Sequence, residues 1–428
     1  MTGTMTFQQA RDYLYSLERF GWKLGLERIL QLLDDLGGPQ RDCRFIHIAG
    51  TNGKGSVAAM LESVFRNAGY KTGLYTSPHL VDVRERVRVN GEMISEHDFA
   101  AIMGELVTLC EKTPATFFEV MTALAFAYFS RQQADLVILE TGLGGRFDAT
   151  NVVTPLLSVI TSIDLEHTEH LGPDLASIAF EKAGIVKPGV PCVIGDLQPE
   201  ATEVIERICN EKQAPLYRYQ DVAGVLKYEI SKHGTNIVIN IGEQGKISAK
   251  LPLTGPHQAL NAAIAVSAVR ITAPRISMET IQRGLEKVQW EGRFQFLRRD
   301  PPVIMDVAHN TASVAGLVRV LNELYPEYKK HFIMGLLSDK DVHSICRELA
   351  PVAESVMLVT LETSRAMDVE ILRKEFGLYN VPVEILPSLA YGLETVLNDK
   401  SSDKLYCITG SHYIAGEIKA LLIKNLTS

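Results

Sequence analysis

The sequence predicts an α/β protein of two unequal domains, each built around a mostly parallel sheet. Three observations carry that expectation. The length of 428 residues exceeds what one ordinary core holds. Short apolar runs alternate with amphipathic stretches from about residue 44, the pattern of crossover units. The alternation then restarts after a turn-rich stretch near residue 300.

In the first part the candidate strands are Phe45 to Ala49, Thr72 to Tyr75, Leu136 to Leu139, Leu156 to Thr161 and Pro191 to Ile194. Helical patterns at Lys54 to Ala68, Phe118 to Ser130 and Leu175 to Ala183 lie between them. From Val225 to Leu251 the runs KYEI, NIVINI and KISAKL alternate with a two-residue period and no helix intervenes, which predicts an antiparallel edge. Helices at His257 to Ile271 and Ser277 to Val288 follow, and then the turn-rich WEGRF and RRDPP mark the domain boundary before a strand at Val303 to Asp306. Strands near Phe332, Val356, Val383 and Leu405 predict a second, smaller doubly wound domain. A cleft between two such domains is a natural multi-substrate site.

Apolar residues at 46% and charged residues at 22% exclude a disordered or fibrous chain. A net charge of -8 speaks against a general hold on nucleic acid or an anionic membrane, so anionic small molecules must be held locally. The cysteines, at 43, 110, 192, 209, 346 and 407, show no CxxC pair or metal-like spacing and read as reduced thiols of a cytoplasmic protein. The first residues show no secretory pattern, and no stretch approaches the roughly 20 apolar residues of a membrane helix.

The segment HIAGTNGKGS follows an apolar strand and opens a helix, placing Gly50, Thr51, Asn52, Gly53, Lys54, Gly55 and Ser56 in a phosphate-binding position. Glycines let backbone N–H groups converge on phosphate oxygens, and the helix terminus and Lys54 add positive charge. The loop is two residues shorter than GxxxxGK[ST], and Gly55 separates the lysine from the Ser56 hydroxyl. Against this stands a glycine-rich turn with a surface lysine.

Glu140 ends a central strand, where ligands bind in open α/β sheets, and is a magnesium ligand candidate. The strand at 156 to 161 runs into SIDLEHTEHLG, so His167 should emerge at the same edge as a metal ligand, a base or a plain surface histidine. From the residues alone, Lys182 in SIAFEKAGI reads as a solvated charge at a helix end. Asp306, His309 and Asn310 leave the strand at 303 to 306, with Asn310 a candidate helix N-cap. Ser411 in TGSHYIAGE is placed to cap the last helix or bind an anion.

Taken together, FGWKLGLERILQLLDDLGGPQ, HIAGTNGKGS, YTSPHL, ERVRVNG, TFFE, LETGLGGRFDATN, DLEHTEHLG, EKAGIVKPG, GPHQALNAA, WEGRF, DVAHN and GSHY resemble, in order, the folylpolyglutamate synthase and dihydrofolate synthase family of Mur-type amide ligases. The resemblance runs from Phe20 to His412. It implies a P-loop domain of the Mur central type over residues 1–296 and a Rossmann-like C-terminal domain over 297–428. The implied activity is ATP-dependent addition of L-glutamate to folate or dihydropteroate through an acyl phosphate. A related ligase acting on another carboxylate is the alternative.

By the same resemblance Ser77, Glu140 and His167 match magnesium ligands, and Lys182 matches a lysine carbamylated beside the metal; a monovalent cation is a further expected cofactor. Asn261, Arg293 and Asp306 match nucleotide contacts. Arg86 matches a substrate-binding position, His309 and Ser411 match positions that hold incoming glutamate, and Phe118 and Asp148 match residues near a pterin. His309 is also a candidate base for the amine, if it lies within hydrogen-bond reach. The partners expected are small molecules only, and the chain is expected to be a monomer. WEGR in place of WPGR and SRA around Arg365 in place of PRA are departures that remove no reacting group.

Overall fold

The computed structural model describes residues 5–21 and 23–427; Trp22, within the FGWK motif, lies outside them. Three sheets organise the chain. The first contains β1 (Phe45–Ala49), β2 (Thr72–Tyr75), β3 (Val87–Val89), β4 (Glu92–Met93), β5 (Leu136–Glu140), β6 (Leu157–Ile160), β7 (Cys192–Ile194) and β8 (Leu216–Arg218). Their spatial order is β4-β3-β2-β5-β1-β6-β7-β8. Every pair is parallel except β2 with β3 and β3 with β4. The central strands β1 and β5 are buried along their whole length, as their mainly apolar character requires, with His47 and Glu140 the polar exceptions.

The first sheet is covered on both faces. On one side the helices Phe7–Ser16, Glu27–Asp35, Glu96–Cys110 and Phe117–Arg131 enclose a core that includes Leu14, Leu32, Phe45, Phe99, Phe126 and Leu139. On the other lie the helices Lys54–Asn67, Pro256–Thr272 and Met278–Glu286. Gly284 lets two of them meet closely, since a Cβ there would come 2.5 Å from the Val64 Cα. The helix Lys54–Asn67 is buried almost throughout because it is sandwiched between layers.

The run from 224 to 251 corrects one expectation. It is antiparallel, but it is not an edge of the main sheet. Strands β9 (Gly224–Ser231), β10 (Gly234–Asn240) and β11 (Lys246–Leu251) pair only with one another, in the order β11-β10-β9. The alternation that revealed them also explains their independence. Ile237, Ile239, Ile247, Ala249 and Leu251 form one apolar face, which joins the core of the helical layer and leaves the polar face to solvent. The antiparallel edge of the main sheet is instead β3–β4.

The third sheet contains β12 (Gln295–Arg299), β13 (Pro302–Met305), β14 (Lys329–Met334), β15 (Ala353–Leu358), β16 (Val383–Ile385) and β17 (Lys404–Thr409), in the order β12-β13-β17-β14-β15-β16. All are parallel but β12, which occupies part of the stretch read as turns. The final helix, His412–Thr427, leans back on the first half. Gly416 packs so tightly against the Leu80 carbonyl that no Cβ fits. Lys419 adds ion pairs to Glu291 at 2.5 Å and to Glu85 at 3.6 Å. Glu291, the departure in WEGR, therefore ties the two halves together.

Candidate active site

In the first sheet the chain leaves β1 toward β2 on one side and later crosses from β5 past β1 to β6 on the other, so the loops after these strands splay apart. Residues following β1, β2, β5 and β6 line one cavity of about 450 Å³ together with residues following β13, β14 and β17. A second cavity, of about 260 Å³, shares Asn52, Gly53, Arg293 and His309 with the first. The two halves thus bound one branched cleft.

The loop after β1 forms its floor. Gly53 has φ 85°, and a Cβ there would sit 2.6 Å from Asn261 Oδ1; at Gly55 it would lie 2.8 Å from the Trp290 ring. Thr161 Oγ1 donates to the Asn52 carbonyl at 2.7 Å and pins the loop to β6. Lys54 Nζ donates to the Gly50 and Thr51 carbonyls at 2.9 and 3.1 Å. Lys182, buried at the end of the helix Leu175–Lys182, donates to the same Gly50 carbonyl at 2.8 Å. Burial, and then the charge of Lys54, push the Lys182 ammonium down to about 7.

Glu140 ends β5 and accepts the Ser77 N–H at 3.0 Å, so the two sit side by side. Burial raises the Glu140 carboxyl, opposed by Lys54 and by the Ser77 amide. His167 has a left-handed backbone, φ 52°, at the start of a one-turn helix, and burial lowers its imidazole to about 4. Ser77, Glu140 and His167 line the larger cavity; Lys182 lies behind the phosphate loop. One carboxylate, one hydroxyl and one imidazole fit a magnesium ion that takes its other ligands from phosphate and water. No group of three His, Cys, Asp or Glu side chains placed to hold a metal occurs among the described residues.

Asn261, Arg293 and Asp306 line the smaller cavity, along with Ser56. Asn261 donates to Gln258 at 3.1 Å, which sets its amide. Asp306 accepts the N–H groups of Phe294 and Ala308, one on each oxygen, at 2.8 Å. Burial raises Asp306 and lowers Arg293, and each offsets the other's shift.

From the second half, His309 donates Nδ1–H to the Val307 carbonyl at 2.8 Å and faces Glu166 Oε1 through Nε2 at 3.1 Å. Both ring nitrogens therefore face oxygen atoms of the protein, so neither is left open toward an incoming amine in this arrangement. Glu166 also accepts from Asn310 and from Lys340, each at 3.2 Å. Burial raises its carboxyl, but the His309 hydrogen bond and the His309 and Lys340 charges hold it far below the carboxylate range. Asn310 caps the helix Thr311–Leu324 through Ser313 and pairs with the Asn52 amide of the phosphate loop at 3.0 Å. Ser411 caps the last helix by accepting the Ile414 N–H at 3.1 Å, and it faces the larger cavity.

The far end of that cavity is aromatic. Phe117 and Phe118 line it; Gly142 admits the Phe118 ring, since a Cβ there would lie 2.5 Å from it. Arg86 is buried beside Phe117, with its guanidinium 5.2 Å from the ring centre. Asp148 accepts the Gly142 and Leu143 N–H groups on one oxygen, and the Thr150 N–H and hydroxyl on the other. With four bonds accepted it shapes the loop that supports Phe118.

Glu166, within DLEHTEHLG, and Lys340 join the site without being singled out by the sequence. An acidic residue beside a candidate metal histidine was the signal present. Lys340 carries none, since Glu166 lies in the other half of the chain; its neighbour Asp339 pairs with Arg365 at 3.1 Å in its own half and with His167 across the cleft.

Two family descriptions match the chain: a Mur ligase middle domain over residues 48–269 and a Mur ligase glutamate ligase domain over 292–412. A Bacillus subtilis dihydrofolate synthase/folylpolyglutamate synthase is 35% identical over 97% of this chain and 99% of its own length. The Escherichia coli protein of the same name is 34% identical over 96% and 94%. Among solved structures, Mycobacterium tuberculosis folylpolyglutamate synthase complexed with ADP superposes with a TM-score of 0.90 at 33% identity, covering 97% of this chain and 98% of that one. Escherichia coli FolC in complex with DHPP and ADP gives 0.88 at 33% identity, covering 98% of each.

Proposed function

The chain belongs to the folylpolyglutamate synthase/dihydrofolate synthase family of Mur-type ligases, and from that premise we propose how its own residues carry out ATP-dependent addition of L-glutamate to a folate or dihydropteroate acceptor. The single observation that carries the reading is the branched cleft. A phosphate loop, a buried carboxylate, an aromatic end and a wall from the second half all border on it.

In this reading the smaller cavity takes the nucleoside, with Asn261, Arg293 and Asp306 at its lining. Residues Gly50 to Ser56 take the phosphates, Lys54 exchanging two backbone carbonyls for phosphate oxygens. Ser77, Glu140 and His167 are the residues that would hold a magnesium ion, which when bound would supply positive charge against the phosphates. The Lys182 amine, buried beside a second cation, sheds its proton readily and so suits carbamylation, in which nitrogen bonds to the carbon of carbon dioxide and one proton leaves.

The acceptor rings lie against Phe117 and Phe118, with the loop held by Asp148 beneath. An acceptor carboxylate oxygen attacks the terminal phosphorus of ATP and ADP departs, leaving an acyl phosphate. The incoming glutamate, held from the second half near His309 and Ser411, brings its amine onto the acyl carbon. The tetrahedral intermediate expels phosphate as its C–O bond to the phosphate oxygen breaks, the amine's surplus proton passes to the departing phosphate or to water, and the amide remains. Glu166, Asn310 and Lys340 close the wall between halves, which keeps water from the acyl phosphate.

The test offers dihydropteroate and a tetrahydrofolate in parallel with ATP and L-glutamate, and reads product mass and ADP. One added glutamyl mass per ADP is expected. ADP formed equally without glutamate, or no mass gain with either acceptor, refutes the reading.

A further inference from the structure

We infer that His79, braced by Tyr15, is a positioning residue that aims the Arg86 guanidinium into the larger cavity, where it takes a carboxylate of the acceptor. The inference deepens the proposed function and rests on it.

Arg86 closes the short turn Val83–Arg86 just before β3 and is 9% exposed. Its Nε–H donates to His79 Nδ1 at 2.9 Å. Arginine has no acceptor, so His79 must present a lone pair at Nδ1 and carry its proton on Nε2. That second nitrogen meets the Tyr15 hydroxyl at 3.2 Å, and donates to it in this tautomer. Tyr15 comes from the first helix, Phe7–Ser16, and its ring lies 6.4 Å from His79 and 5.8 Å from Phe117. Phe117 in turn lies under the guanidinium. The relay therefore fixes the guanidinium plane from its edge through His79 and from its face through Phe117.

The terminal nitrogens of Arg86 remain. Arg86 lines the cavity, burial lowers its guanidinium, and no carboxylate forms an ion pair with it among the described residues; Tyr75, Tyr15, Tyr413 and Glu18 are its neighbours. A buried cation without an internal counter-ion is costly. The guanidinium fork matches a planar carboxylate, and two parallel N–H bonds to one define its plane. An acceptor whose rings rest on Phe117 and Phe118 carries such a group toward Glu140, on which Arg86 also acts electrostatically. Removing the His79 acceptor would free rotation about the Cδ–Nε bond, and a rotated fork no longer meets the carboxylate with both arms.

The experiment compares wild type, His79→Leu, His79→Asn and Tyr15→Phe. Acceptor concentration is varied at saturating ATP and L-glutamate, and thermal melts are run beside it. Leucine removes the acceptor atom, whereas the asparagine oxygen replaces Nδ1. His79→Leu should raise the acceptor KM on the order of 10- to 100-fold, the worth of one hydrogen bond to a charged group. The KM for ATP and kcat should hold within about twofold. His79→Asn should recover most of the loss, and Tyr15→Phe should raise the acceptor KM a few-fold.

An unchanged acceptor KM in His79→Leu, a fall in kcat alone, or asparagine as poor as leucine would overturn the inference. If His79→Leu does not fold, Tyr15→Phe decides: an acceptor KM equal to wild type overturns it. Wild type that glutamylates no acceptor refutes the functional reading itself, an outcome distinct from active wild type with indifferent variants.

Discussion

Acid should unfold this protein in part through one strand residue, His47. It lies at the middle of β1 with no exposed surface. Its Nε2 donates to the Thr150 hydroxyl at 2.8 Å, and Nδ1 has no partner among the described residues. Burial, helped by Lys187, holds the imidazole down to about 3 against the ordinary 6.5. An unfolded chain therefore takes up a proton near pH 6.5 while the folded chain refuses it until about 3. Between those limits the unfolded state binds more protons, so stability falls as pH falls. Each pH unit costs about 1.4 kcal/mol for this one group, and the full window costs on the order of 4 to 5 kcal/mol. Urea unfolding of wild type and His47→Leu at about pH 7, 6 and 5 isolates the effect. The variant starts lower by about 1 kcal/mol, because the Thr150 hydroxyl loses its donor. Its disadvantage should then shrink by about 1.4 kcal/mol per pH unit below 6.5, and reverse. His79, His167 and His257, each lowered to about 4 by burial, steepen both curves alike and cancel in the difference. Parallel curves would refute the argument.

Other outcomes follow from the same geometry. Gly53→Ala forces a side chain into a left-handed backbone and against Asn261, so the KM for ATP should rise about tenfold in steady-state assays while the melt falls slightly. Glu166→Gln keeps the acceptor oxygen but removes the charge facing Lys340 and His309; urea unfolding should show a loss of about 2 kcal/mol. Thr116→Ala removes the capping box with Glu119 at the start of the helix Phe117–Arg131 and should cost about 1 kcal/mol in the same assay. A chelator should stop ADP release, and added magnesium should restore it; the melting temperature should barely move, since few side chains would hold the ion.

Local patterns were legible where the physics is local. The strand-loop-helix around Lys54 and the carboxylate ending β5 could be read from apolar runs and the residues that interrupt them. The same alternation showed β9 to β11 as strands, yet periodicity reports a face and not a partner, so their separation from the main sheet stayed hidden. Strands β3 and β4 are too short to show a period. The Glu166 cluster joins residues 143 to 174 positions apart, and the Arg86 relay reaches Tyr15 across 64 from His79. Nothing in the neighbouring residues announces either. Asp148 illustrates a subtler gap: its place near a ring-binding site could be expected, but not that its oxygens are spent on its own loop.

The two cavities meet at Asn52, Gly53, Arg293 and His309, so a compound need not choose between them. A purine nucleoside tethered through a phosphonate to a pterin-benzoate would thread both arms at once. The second arm would then bind from an effective concentration set by the tether rather than by the solution. Such a hybrid should outbind its separate pieces by far more than their shared polar contacts explain, giving inhibitor design a handle that neither half offers alone.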